Sequence, residues 1–104
     1  MSNKTIPYQP LTPAVFHILL ALSDGEKHGY AMMEDIEKMA DVRLGAGTLY
    51  GALSRLEQAG MIEALPVDER RRPYRLTALG ASSLRQALAS LEKFASIGLK
   101  RLAA

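Results

Sequence analysis

TLYGALSRLEQAGMIEALPVDERRRPYRLT, residues 48–77, decides the fold of this 104-residue chain. Leu49, Leu53 and Leu56 recur at helical spacing, and Gly60 suits a left-handed stop, so the pattern predicts a helix over 46–59. Gly45 and Gly47 break the chain just before it. Met61 to Leu65 suits a short apolar strand, Pro66 to Arg71 a turn, and Arg72 to Thr77 a returning strand. Pro73 fits a strand with an open edge, where no ladder hydrogen bond is lost. A helix followed directly by a basic two-stranded hairpin predicts a winged helix-turn-helix.

The flanking segments agree with that expectation. Pro7, Pro10 and Pro13 keep the first dozen residues extended or irregular, so residues 1–10 are expected to form an arm. Thr12 suits a helix cap with Pro13 at the first helical position, and Val15, Ile18, Leu19 and Leu22 follow at helical spacing. Ser23-Asp24-Gly25 closes that helix. A second helix is expected from about His28 to Ala40, with Gly29, Met32, Met33, Ile36 and Met39 on its buried side and Glu34, Asp35, Glu37 and Lys38 opposite. After Thr77 the spacing is helical almost to the end. The expected fold class is therefore mainly α with a small β-wing (α+β), a winged helix-turn-helix with a long C-terminal dimerisation helix. Residues 11–78 would form the winged domain and 79–104 the dimerisation helix.

Composition narrows the classes. The apolar fraction of 48% suits a folded chain and argues against disorder. There is no cysteine, which removes disulfides, thiolate nucleophiles and most structural zinc sites. The start, MSNKTIPYQP, lacks the apolar core of a secretion signal, and the run Ala14 to Leu22 is far short of the ~20 residues of a membrane span. A soluble cytoplasmic protein is expected, with no membrane partner. The net charge of +2 is too small to imply a nucleic-acid partner by itself, so the placement of charge matters more.

That placement is local. On the third helix Thr48, Gly51, Ser54, Arg55 and Gln58 lie opposite the leucine stripe. Small residues such as Gly51, Ala52 and Ser54 would allow close approach to a DNA groove, and Arg55 can reach a phosphate or a guanine edge. Tyr50 can donate its hydroxyl to a phosphate while its ring lies against the domain. The plainer alternative is a solvated helix face with Tyr50 half-buried. Arg70, Arg71, Arg72 and Arg75 follow within six residues, offset by Asp68 and Glu69. Strand alternation lets only about half of them face one backbone, so two copies would make roughly four to six phosphate contacts. The expected log–log salt slope is about −4 to −5. These residues imply double-stranded DNA as partner, read by helix 46–59 with wing 66–73 on the backbone.

The C-terminal segment carries a different signal. Ala81, Leu84, Leu88, Leu91, Ala95, Gly98 and Leu102 alternate spacings of three and four, as a coiled-coil-like seam does. Ala87, Phe94, Ile97 and Leu99 widen that stripe. A helix of ~22 residues is about 33 Å long, too long for a small domain to cover, and each leucine left in water forgoes roughly 1.5–3 kcal/mol of burial. The expectation is a homodimer through Leu84, Leu88, Leu91, Phe94, Ala95, Gly98 and Leu102. Two-fold symmetry would then present paired helices to major grooves about 34 Å apart. Catalysis is poorly supported, because no glycine-rich phosphate loop or Gly-x-Ser-x-Gly turn accompanies His17 and His28. Neither metal nor cofactor is implied. His17 reads as a core or half-exposed residue and His28 as a helix-start residue.

These residues resemble the PadR family of bacterial transcriptional regulators. The matching segments are His28-Gly29-Tyr30, Gly47-Thr48-Leu49-Tyr50 with Leu53, Arg55-Leu56-Glu57, Gly60 and Ile62, and Arg72-Pro73-Tyr74-Arg75-Leu76-Thr77 with Gly80. The single C-terminal helix is similar to the compact subgroup. The resemblance implies a homodimeric winged helix-turn-helix, usually a repressor, released from a pseudo-palindromic operator by a small molecule or stress signal. Carried over by position, Thr48, Tyr50 and Arg55 would face DNA together with Arg70 to Arg72, while Tyr30, Leu49, Leu53, Leu56 and Tyr74 look structural. Some compact members hold flat aromatic ligands between tryptophans; this chain has no tryptophan, and its candidate lining is aliphatic with Phe94 and Phe16. A sensor of flat aromatic drugs is therefore not expected, and the sequence names no small-molecule effector. The competing reading is a winged-helix protein-interaction module whose arginines meet an acidic protein surface.

Overall fold

A computed structural model describes residues 11–104, so the expected N-terminal arm lies outside the described residues. The elements run α1 (Pro13–Ala21), β1 (Lys27–His28), α2 (Gly29–Ala40), α3 (Ala46–Gln58), β2 (Ile62–Ala64), β3 (Pro73–Leu76) and α4 (Ala78–Ala103). The architecture is a winged helix-turn-helix. Thr12 caps α1, its hydroxyl accepting from the Val15 N–H at 3.3 Å, with Pro13 at the first position. At the other end of α1, Lys27 Nζ donates to the Ala21 carbonyl at 2.6 Å and satisfies one of the carbonyls the helix leaves open. α3 ends as its sequence predicts. Gly60 has φ +76°, with Gly60 N–H on Glu57 O and Met61 N–H on Leu56 O, both at 3.0 Å, and this paired stop turns the chain into β2.

The sheet differs from the expected two-stranded hairpin. Its order is β1-β3-β2, all antiparallel, with Lys27 opposite Tyr74 and His28 opposite Pro73 on one side of β3. On the other side Ile62, Glu63 and Ala64 face Leu76, Arg75 and Tyr74. β3 is thus the central strand, and Pro73 does not lie on an open edge. It is tolerated because it opens the strand, and its carbonyl still accepts from Leu65 N–H at 2.8 Å. Thr77, expected to close that strand, instead caps α4: its hydroxyl accepts from Gly80 N–H at 3.1 Å and donates to Gly60 O at 2.6 Å.

α1, α2, α3 and the root of α4 enclose one core built on Ile18, Leu19, Met32, Ile36, Leu49, Leu53, Leu56, Ile62 and Leu84. Ala52 is wholly buried, so it packs inward and is unavailable to a groove. Met39, expected on the buried side of α2, is 44% exposed. α4 has 26 residues, which gives about 39 Å, yet only Gly80, Leu84 and Ala87 are buried along it. Leu84 therefore leaves the expected dimer seam: it is already covered by its own domain. Beyond Ala87 the large apolar side chains stand in solvent, including Leu91 at 52%, Phe94 at 64% and Leu102 at 85%. The radius of gyration, 15.5 Å against about 13 Å for a compact chain of this length, reflects that projecting end.

Candidate nucleic-acid interface

Burial of Leu49, Ala52, Leu53 and Leu56 fixes the rotation of α3 and turns Thr48, Tyr50, Ser54 and Arg55 outward. Arg55 lies over Gly51, one turn earlier, where a Cβ would come within 3.8 Å of its guanidinium. Among the described residues Arg55 has no acidic partner. Tyr50 is 51% exposed, but its hydroxyl turns back onto Gly29. A Cβ on Gly29 would overlap that hydroxyl oxygen and approach Cζ to 3.0 Å, so Gly29 leaves the space in which Tyr50 lies across the start of α2. Tyr50 is thus a strut between α2 and α3 as well as a surface group.

The start of α3 is open. Thr12, His28 and Thr77 cap α1, α2 and α4 with side chains, whereas Gly45 offers α3 none and no acid occupies its first turn. The first backbone N–H groups of α3 therefore face solvent beside the exposed Thr48.

The wing tip is a two-residue turn. Asp68 and Arg71 exchange backbone hydrogen bonds at 2.8 and 2.9 Å, and Glu69 (φ 49°) and Arg70 (φ 68°) between them are both left-handed. Positive φ at both central positions is what a tight turn matched to strand twist requires, although neither residue is a glycine or asparagine. The arginines differ in their engagement. Arg71 Nη1 lies 3.0 Å from His28 Nε2, Arg72 Nη1 donates to Leu65 O at 2.7 Å, and Arg75 Nε donates to Glu63 Oε1 at 2.5 Å. Arg70, at the tip, has no partner among the described residues. The sequence signalled the arginine cluster but not these partners, since His28 lies 43 residues from Arg71 and Leu65 contributes only a backbone carbonyl.

Two titrating groups are displaced here. Burial pushes the Tyr74 phenol up, with Glu57 and Tyr50 adding to the effect and Arg72 opposing it. The hydrogen bond from Lys27, reinforced by its charge, holds the Asp24 carboxyl below its ordinary value. Lys27 is thereby tied to Asp24, Ala21 and the more distant Asp35 (3.8 Å), and is not a free surface cation. Glu26, Lys27, His28, Asp68, Glu69, Arg71 and Pro73 line a shallow groove of mixed charge between β1 and the wing. No helix of the described residues is long and apolar enough to cross a membrane.

Comparison with known proteins places this geometry. The chain is 42% identical over 76 residues to an uncharacterized 37.1 kDa protein in transposon TN4556 of Streptomyces fradiae, covering 73% of this chain but only 22% of that protein. It is 38% identical over 82 residues to the transcriptional regulator Rv3488 of Mycobacterium tuberculosis, covering 76% of each. A PadR family transcription regulator from Clostridium difficile superposes with a TM-score of 0.78 over 88% of this chain and 99% of that one; at 22% identity this likeness bears on the fold alone. The Transcriptional regulator PadR-like family matches residues 18–86, well over half of the chain. The chain belongs to the PadR-like family of transcriptional regulators.

Proposed function

We propose that this regulator binds double-stranded DNA as a homodimer and acts as a repressor on a pseudo-palindromic operator. The observation that carries the reading is the outward face of α3. Thr48, Ser54 and Arg55 are exposed together at a helix whose start lacks a side-chain cap, and among the described residues Arg55 has no acidic partner to neutralise it. Phosphates and base edges are the partners such a face suits. Arg70 at the wing tip supplies a second cation for the backbone; Arg71 and Arg72 each keep donors beyond their one contact, whereas Arg75 is paired with Glu63. Two or three phosphates neutralised per copy give a dimer a salt slope of about −4 to −5.

Homodimerisation accounts for the second half of α4. Leu88, Leu91, Phe94, Ile97, Leu99 and Leu102 are each more than a third exposed, a stripe larger than a stable monomer usually leaves in water. Ala95 and Gly98 on the same helix allow a close backbone approach by a second copy. Any effector would meet this aliphatic and phenylalanine surface. The test is binding to duplexes taken from the region upstream of the chain's own gene. Salt-dependent binding to a palindromic fragment, tighter than to shuffled sequence and weakened at least tenfold by Arg55→Ala, is the expected result. Equal affinity for both duplexes, or none, would overturn the reading in favour of a protein-interaction module.

A further inference from the structure

His28 joins three parts of the molecule at one side chain. Its backbone lies in β1 opposite Pro73, and its Nδ1 faces the Ala31 N–H at 3.3 Å as the cap of α2. Its Nε2 lies 3.0 Å from Arg71 Nη1, at the end of the wing. Both groups facing the ring are donors, because neither a guanidinium nor a backbone N–H accepts. A neutral imidazole has a single acceptor nitrogen, so each tautomer makes one of the two contacts and forgoes the other.

We infer that His28 is a positioning residue for the wing: through Arg71 it holds the hairpin against the helix-turn-helix, at the cost of a weaker cap on α2. Among the described residues the wing is joined to the domain through its strand base, where β1 contributes two residues. Its tip holds two non-glycine residues at positive φ, so it has little hold of its own. The charged groups around the ring are Glu26 and Lys27 from the β1 side and Asp68, Glu69 and Arg71 from the hairpin. Lys27 is already engaged by Asp24, so Arg71 is the cation that meets the ring. The consequence for DNA rests on the function proposed above; the clasp itself does not.

His28→Asn separates the two contacts, since asparagine caps a helix well but is too short to reach Arg71. In this variant, and in Arg71→Ala, hydrogen exchange at the Asp68 and Arg71 amides should quicken several-fold while core amides keep their protection. Unchanged exchange in both variants would overturn the inference, and Arg71→Ala decides alone if His28→Asn does not fold. On a DNA fragment that the wild-type chain binds, His28→Asn should weaken affinity about threefold to tenfold and add nothing to Arg71→Ala, because the two act as one unit. Additive losses would show that His28 acts independently of Arg71, against the inference. If the wild type binds no such fragment, the DNA reading fails while the exchange measurement still decides the clasp.

Discussion

The wing and the root of α4 both leave β3, at opposite ends, and are held there in opposite ways. The root is locked by burial. Gly80, Leu84 and Ala87 are all covered, and Thr77 ties the first turn to Gly60 and Met61. The wing is held by exposed polar contacts: Arg71 on His28, Arg72 on Leu65 O, and Arg75 on Glu63. Exposed pairs of this kind are worth about 0–1 kcal/mol each, whereas a buried leucine contributes several-fold more. One end of the strand is therefore a rigid anchor, and the other can be reset by small changes in its surroundings. The function proposed above, with a reading head that adapts to DNA beside a fixed dimer arm, would use that asymmetry.

The sharpest way to break the contrast is at Gly80. A Cβ there would overlap the Met61 carbonyl oxygen, a backbone atom that cannot swing aside, and would press on the Leu76 side chain at 3.2 Å. Gly80→Ala should cost about 3 kcal/mol or more, the upper range for overpacking, and lower the melting temperature by well over 10 °C. A near-native melting curve would mean that α4 does not sit this close. Gly29→Ala makes an instructive partner, because the overlapping atom is the end of the Tyr50 side chain, which can rotate out. Its loss of stability should be clearly smaller.

Further along the same helix the expectation changes from folding to association. Leu91 is 52% exposed, so Leu91→Ser should leave the fold of one chain nearly as stable as before. In a two-fold dimer each substitution counts twice, which amounts to about 3 kcal/mol and weakens the dimer on the order of 100-fold. Sedimentation of both forms across micromolar concentrations checks this. A wild-type chain that sediments as a monomer would remove the seam from the proposed function. Leu84→Ala should do the reverse, destabilising the fold by roughly 2–5 kcal/mol through loss of a core residue.

The same division separates what the sequence discloses from what it hides. The helices were legible because Leu49, Leu53, Leu56, Gly60, Thr12 and Pro13 carry their structural reasons locally, as periodicity or capping chemistry. β1 was not, since two residues have no period, and without it β3 reads as an edge strand. Leu84 shares its spacing with Leu88 and Leu91, and a heptad pattern does not say where one domain's cover ends. Ala52 looks equally apt for a groove or a core, and the rotation of α3 decides it. At the candidate interface the residue types were visible, but Arg71, Arg72 and Arg75 depend on partners fixed by tertiary placement. A positively charged turn reads the same whether its arginines are free or engaged.

At the wing tip the effect should be smaller and of opposite sign. Glu69, with φ 49°, occupies a position that favours asparagine or glycine. Glu69→Asn relieves that strain and should stabilise the hairpin by about 0.5–1 kcal/mol. Thermal unfolding should rise by a few degrees, and the Asp68 and Arg71 amides should exchange more slowly. A fall in stability would indicate that the Glu69 carboxylate contributes more than its backbone strain costs.

The smallest effect concerns Asp24, which with Lys27 secures the approach to β1 and so the sheet side of the wing. Lys27 lowers the Asp24 pKa in the folded protein, chiefly by donating a hydrogen bond to it. A carboxylate with a depressed folded value stabilises the fold above its unfolded pKa of about 3.9, and loses that contribution as pH falls through the lower, folded value. Asp24 is fully exposed, so screening keeps the contribution small. Asp24→Asn should therefore melt close to wild type at neutral pH and show a shallower decline in melting temperature below about pH 4. Lys27 would still donate to Ala21 O, with Asp35 nearby, so the end of α1 should remain closed. A large loss at neutral pH would instead mean that this exposed pair anchors β1 as firmly as burial anchors α4, and the contrast between the two ends of β3 would fail.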